Sequence, residues 1–269
     1  MTGVAVSVRG VSLRFGSRVL WRDLSIDLGA GEFLAVLGPN GTGKTSLIRI
    51  LLGLLDPGGG SVRLHGQLPS QGRSTVGYVP QQQSFDRDLP LRGRDLVGLG
   101  LDGHRFGLGL HPRRAAAAID RALAQVGATA FAGRPVGRLS GGEQQRLRVA
   151  QALVSDPSVI LADEPLLSLD LASQRGVVEL LDAHRRASGT PVVFVTHDVN
   201  PVLGVVDRVL YLAPGRWAIG TPAEVLTSET LGGLYGTPVD VLTLGGRVVV
   251  VGTPDDAGAH HDHDHGGGG

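Results

Sequence analysis

Cysteine is absent from the 269 residues. That excludes a disulfide framework and any thiolate metal site. Charge of one sign is missing as well: 25 Lys and Arg balance 25 Asp and Glu, for a formal net charge of zero. A general nucleic-acid binder usually shows basic excess, so this balance argues against one. There is no heptad run of the kind that builds a coiled coil. No apolar run approaches the roughly 18 residues needed to span a bilayer. The expectation is that any membrane crossing belongs to another chain. The opening stretch MTGVAVSVRG lacks the basic-then-apolar pattern of a secretory signal, which is compatible with a cytoplasmic chain. No internal repeat stands out.

What is present is a chain with 42% hydrophobic residues, enough for a sizeable core in one large or two small domains. Residues 4–37 read as short strands, VAVSVRG, VSLRF, LSIDL and FLAVLG, the last a compact apolar run ending in glycine. Leu47, Ile50, Leu51 and Leu54 recur at helical spacing between Thr45 and Leu55, and DPGGG closes that helix. Strands are expected at SVRLHG and VGYVP, then a helix with Ile119, Ala122, Leu123 and Val126 on one face. SVILADEP and PVVFVTHD read as central strands with a helix between them. RVLYLAPGRWAIG reads as a hairpin turning at Pro214–Gly215, TPAE as a capped helix start, and VDVLTLGGRVVVVG as a last hairpin. Strands alternating with helices predict an α/β sheet, with a mainly helical insertion over about 86–155.

GPNGTGKT at 38–45 matches G-x-x-x-x-G-K-[ST] between a predicted strand and a predicted helix, the context of a P-loop. Gly38, Gly41 and Gly43, with Pro39, Asn40 and Thr42 between them, let backbone N–H groups wrap a polyphosphate. Lys44 brings positive charge to the β- and γ-phosphates. The Thr45 hydroxyl suits Mg²⁺, and Ser46 reaches an α-phosphate oxygen. The helix N-terminus adds its partial positive charge.

VILADEP ends an apolar strand in two acids. Adjacent carboxylates after a buried strand are costly as structure and useful beside a magnesium nucleotide. Asp163 is the candidate Mg²⁺ ligand and Glu164 the candidate general base for water. His197 in FVTHD follows another apolar strand; alone it reads as a structural hydrogen-bonder, and beside the other motifs as a γ-phosphate contact. LSGGEQQR at 139–146 places Ser140 and Glu143 in a capping box, with Gly141 and Gly142 between them.

Together and in this order, GPNGTGKT, LSGGEQQR, ILADEP and THD resemble the ATP-binding subunit of an ABC transporter over most of residues 4–225. The resemblance implies a RecA-like P-loop NTPase core with an N-terminal antiparallel β part and an inserted helical subdomain. It implies ATP and Mg²⁺ as nucleotide and cofactor. It also implies a head-to-tail dimer in which Ser140, Gly141, Gly142 and Glu143 of one copy cap the nucleotide held by the other; a local helix cap is the other reading of Ser140. By the same resemblance Phe15 stacks on adenine, or is a half-buried strand aromatic. Gln81 senses Mg²⁺ and the attacking water, and Asp170 crosses the dimer interface. Leu166 stands where the commoner pattern has Thr.

Residues 81–90, QQQSFDRDLP, are similar to a segment of ATPases from zinc, manganese and iron importers, matching it at Asp86, Asp88 and Pro90; a solvated acidic loop is the other reading. The implied partners are a second copy, an integral membrane permease and, indirectly, an extracytoplasmic metal-binding protein, with no nucleic acid. The implied place is the cytoplasmic face of the membrane. An ATPase for another solute, or for export, keeps every catalytic role. Residues 226–255 read as a small C-terminal extension. Residues 256–269 read as a disordered His/Asp/Gly tail in which His260, His261, His263 and His265 either bind a transition metal weakly or belong to a solvated tail or a cloning remnant.

Overall fold

The computed structural model describes residues 3–72, 75–81, 85–102 and 112–252. Its centre is a six-stranded sheet built from β3 (Phe33–Leu37), β5 (Val76–Val79), β6 (Val159–Asp163), β7 (Val192–Val195), β8 (Arg208–Ala213) and β9 (Arg216–Gly220). The order is β5-β6-β7-β3-β8-β9. All neighbours run parallel except the β8–β9 hairpin. β3, β6 and β7 are buried at every residue, which is why their sequences are continuous apolar runs rather than alternating ones.

Both faces of β3 are used. Phe33, Ala35 and Leu37 join a core with α3 (Gly93–Asp102), α4 (Pro112–Gln125), α5 (Gly141–Leu153) and α6 (Leu171–Ser188). Leu34 and Val36 join a second core with α1 (Lys44–Leu51) and an antiparallel sheet ordered β2-β1-β4. That sheet comprises β1 (Val4–Phe15), β2 (Arg18–Gly29) and β4 (Ser61–Leu64). Side chains alternate across a strand, so one five-residue segment serves two cores. α2 (Pro69–Gly72) is a single turn after β4. Among the described residues no helix is long and apolar enough to cross a membrane.

Three expectations change. VAVSVRG and VSLRF are one strand, with register shifts between Val8 and Val11 where Gly10 takes φ 56°. The first helix stops at Leu51, because Gly53 turns left-handed at φ 63°, and Leu54 is left 63% exposed. LSIDL is the end of a longer strand, β2, which begins at Arg18. TPAE opens a capped helix as read, the single turn α7 (Pro222–Val225), followed by α8 (Ser228–Tyr235). The last hairpin forms as read: β10 (Asp240–Leu244) pairs with β11 (Arg247–Val251) across Gly245 and Gly246, both at positive φ.

Candidate functional site

Parallel pairing puts the carboxyl ends of β6, β7 and β3 side by side, the edge where open α/β sheets bind ligands. From β3 the chain enters the loop 38–43. Gly38 lies under β8: a Cβ there would come within 2.0 Å of the Leu212 carbonyl oxygen. Gly43 covers β2, where a Cβ would meet Trp21 Nε1 at 2.8 Å. These glycines thus serve close packing from beneath as well as ligand approach from above. The Thr42 hydroxyl donates to Pro39 O at 2.9 Å and ties the loop across itself. The Lys44 ammonium donates to Gly38 O at 2.7 Å and Pro39 O at 3.0 Å, which fixes its charge in the loop's concavity. Gly43 is the N-cap of α1 at φ 94° and supplies no capping side chain, so the first-turn amides are oriented for an anion.

Asp163 ends β6 at 2% exposure. Burial pushes its carboxyl above the ordinary carboxylate range, and the neighbouring Glu164 adds to this; the Thr45 hydroxyl bond, Arg49 and Lys44 oppose it. Glu164 follows at φ 46°, a left-handed conformation that costs a non-glycine residue roughly 1–2 kcal/mol. Its N–H is held by Val195 O at 3.0 Å, so the bend is anchored to β7. The bend sends the Glu164 side chain to the phosphate-loop cleft while Asp163 stays beneath. His197 Nδ1 lies 3.8 Å from Glu164 Oε2.

A cleft of about 400 Å³ collects Phe15, Asn40, Gly41, Gly43, Lys44, Thr45, Ser46 and Glu164. Phe15, 54% exposed at the β1–β2 turn, faces it. Arg18 lines it too, and sequence reasoning missed that residue; its place just after the aromatic turn was the available signal.

Other expected residues lie elsewhere. Gln81 is exposed beyond β5 and does not line this cleft. Ser140 lines a separate cleft with Phe85, Asp88 and Gln144. There Ser140 Oγ accepts from Glu143 N at 3.3 Å and Ser140 N donates to Glu143 Oε2 at 2.8 Å, the capping box. Asp170 caps α6, accepting from Ser173 N at 2.8 Å, which holds its carboxyl below the ordinary range. A Cβ on Gly142 would come within 2.6 Å of Ser173 Oγ, so the starts of α5 and α6 abut. Asp86 Oδ1 accepts from Asp88 N at 3.0 Å, and Asp86 O packs over Gly137. The Arg148 guanidinium sits 4.4 Å over the Phe85 ring. Residues 82–84, and the tail histidines His260, His261, His263 and His265, lie outside the described residues. Among the described residues no cluster of His, Asp or Glu is arranged to hold a metal through three or more side chains.

Residues 21–167 match the family model described as ABC transporter. Over 232 residues the chain is 34% identical to the manganese transport system ATP-binding protein MntB of Bacillus subtilis, covering 86% of this chain and 92% of that protein. It is 36% identical over 237 residues to the zinc transport system ATP-binding protein TroB of Treponema pallidum, covering 87% and 88%. Among solved structures, a chain of an ABC transporter described as of metal-chelate type, in an inward-facing conformation, superposes with a TM-score of 0.78 at 29% identity, covering 92% of this chain and 96% of that one. The ADP form of the ATP-binding cassette MJ1267 superposes with a TM-score of 0.71 at 20% identity, covering 83% and 93%, a likeness of fold.

Proposed function

The chain belongs to the ABC transporter family, and from that membership we propose that it is the ATP-hydrolysing subunit powering uptake of a zinc, manganese or iron ion through a separate membrane permease. The observation that carries the catalytic part is the convergence of Lys44, Thr45, Asp163 and Glu164 at one sheet edge. The metal-uptake part is supported by the names of the relatives and by Asp86, Asp88 and Pro90.

In this reading the amides of residues 41–46 and the Lys44 ammonium receive the β- and γ-phosphates, and Phe15 stacks on the adenine. Thr45 Oγ1 and Asp163 Oδ1, 3.2 Å apart, form an oxygen-only donor pair that fits a hard cation; Gln81, outside this cleft, would have to move in to serve as a third ligand. Mg²⁺ held there would spread the charge of the β- and γ-oxygens. Asp163, desolvated by burial, would be favoured in its charged form by a cation beside it. Glu164 takes a proton from the attacking water. The water oxygen bonds to the γ-phosphorus, the bond to the ADP oxygen breaks, and ADP and phosphate result. His197, beside Glu164, contacts the γ-phosphate.

Ser140 faces a different cleft from Lys44 within one chain. That separation supports a sandwich dimer, with Ser140, Gly141, Gly142 and Glu143 closing over the partner copy's nucleotide and Asp170 at the seam. Preferential binding of ATP to the closed dimer drives the permease. The catalytic unit is residues 4–225 with its helical block at about 86–155, and 226–255 is an extension. The subunit rides on the cytoplasmic face of the permease, which receives its ion from an extracytoplasmic metal-binding protein.

The test is uptake of radioactive Zn²⁺, Mn²⁺ and Fe²⁺ by cells carrying the parent subunit, a Glu164→Gln variant or none. Uptake of one ion should fall to background in the last two. Equal uptake of all three ions in every strain overturns the metal assignment.

A further inference from the structure

We infer that the C-terminal hairpin β10–β11 clamps the loop carrying His197, and that Asn200 is a positioning residue for ATP turnover acting through this clamp. The inference rests on the role given to His197 above.

The Asn200 carboxamide pairs with the backbone of Val248 in β11 through two hydrogen bonds. Nδ2 donates to Val248 O at 2.9 Å and Oδ1 accepts from Val248 N at 2.8 Å. A side-chain amide here takes the place of a neighbouring strand's peptide group. Both backbone groups of Val248 are turned away from β10, so β11 is an edge strand whose next partner is this one side chain.

The same side chain reaches back toward His197. Asn200 Nδ2 donates to Asp198 Oδ1 at 2.7 Å, and Asn200 N donates to that oxygen at 2.9 Å. Asp198 N donates in turn to Thr196 Oγ1 at 3.2 Å, and that hydroxyl donates to Asp198 O at 2.9 Å. Thr196 to Asn200 is therefore a knot of short bonds around an exposed His197, tied outward to β11. The hairpin is fixed from below: Val241, Val248 and Val250 pack on the main core, and Val241 N donates to Ser228 Oγ at 2.9 Å.

A cavity of about 440 Å³ shows what the clamp controls. It is lined by Gly38, Pro39 and Asn40 of the phosphate loop, by His197 and by Val248–Val250 of the hairpin. The hairpin thus shares one cavity with the phosphate loop while its Val248 holds the histidine loop. Nothing in this cavity includes Lys44, Thr45 or Glu164. Loosening the clamp should therefore move His197 while Lys44, Thr45 and Glu164, which the cavity does not touch, stay in place.

The experiment uses the full-length chain and five variants: Asn200→Ala, Asn200→Asp, Val248→Pro, His197→Ala and the Asn200→Ala, Val248→Pro double. Val248→Pro removes the same N–H from the other partner at an edge position. ATP turnover at saturation and ATP affinity by titration are measured, with thermal melting to establish folding. Small misplacements of reacting groups are expensive, so Asn200→Ala and Val248→Pro should each lower kcat about 10-fold and leave the Kd for ATP within about 2-fold. Asn200→Asp sets a carboxylate oxygen against Asp198 Oδ1 and Val248 O in place of the donor, so it should be at least as slow as Asn200→Ala. The Asn200→Ala, Val248→Pro double variant should be no slower than the worse single, because both break one link. Folded Asn200→Ala and Val248→Pro proteins with parental kcat, alongside an inactive His197→Ala, overturn the clamp alone. A change confined to ATP affinity does the same. Parental turnover in His197→Ala overturns the assigned role of the histidine, and the clamp with it.

Discussion

Thr45 of α1 donates its hydroxyl to Asp163 Oδ1 of β6 at 3.2 Å, bonding the phosphate-binding helix to the strand that carries the acid pair. Asp163 needs that bond, because burial raises its pKa above the ordinary value. For a carboxyl raised in the fold, stability is fully present below the unfolded pKa and lost as pH rises through the folded one. Ionising Asp163 is therefore a cost to the metal-free fold. Asp163→Asn, which keeps an acceptor for Thr45, should melt at a higher temperature than the parent in metal-free buffer. Its ATP turnover should drop by about 100-fold or more, because the cation loses its charged ligand. A lower melting temperature would place the acid among the stabilising groups instead.

Glu164 is expected to separate nucleotide binding from hydrolysis. Glu164→Gln keeps the backbone bond to Val195 and the shape of the side chain, but it cannot accept a proton. Loss of a general base lowers rates by about 10²–10⁴-fold, so the variant should hold ATP in a long-lived dimer. Light scattering of the ATP-loaded variant, compared with the nucleotide-free form, measures this. A single-chain mass with ATP bound would defeat the sandwich.

How much of this could be read from residues alone follows from how local each feature is. The phosphate loop, the capping box of Ser140 and Glu143, and the apolar strands ahead of Asp163 and His197 are short-range patterns, and all form. The strand order β6-β7-β3, which makes neighbours of Lys44, Glu164 and His197, is a long-range pairing that no local period encodes. Nor does composition reveal the left-handed turn at Glu164, since glutamate has no preference for it. Arg185 is similar: it is buried, pairs with Asp182 and Asp207 and donates to Gly31 O and Val205 O, although arginine is mostly a surface residue. Asn200 stayed invisible because its partner is backbone at Val248.

Two substitutions in the phosphate loop should fail in different ways. Lys44→Ala removes charge from a loop whose shape Thr42 and the glycines also maintain. It should fold and lose most ATP affinity, at least about 10-fold by titration, since a charge-assisted contact is worth about 1.5–3 kcal/mol. Gly38→Ala adds a methyl 2.0 Å from Leu212 O at φ 138°, which neither β3 nor β8 can absorb without moving. Overpacking of that kind costs about 1–3 kcal/mol or more, so denaturant titration should show lost stability before any loss of binding is scored. A Gly38→Ala protein as stable as the parent would mean that the loop relaxes away from β8.

The acid side of the stability curve should be governed in part by His184. It sits on α6, with Nε2 buried and without a hydrogen-bond partner among the described residues, beside a cavity lined by His65, Asp156, Ser158, Ser188 and Thr190. Burial lowers its pKa below 6.5, and the carboxylate of Asp156 only partly offsets this. For a base depressed in the fold, stability is present above the unfolded pKa and is lost as pH falls through the folded pKa. The parent should therefore lose melting temperature as pH drops below about 6.5, because His184 must take up a proton on unfolding before it can do so in the fold. His184→Gln fills a similar volume and does not titrate, so its melting temperature should fall less over the same interval while matching the parent's slope above it. Parallel curves for the two proteins throughout the acid range would show that the carboxylates, and not this imidazole, set the acid limit.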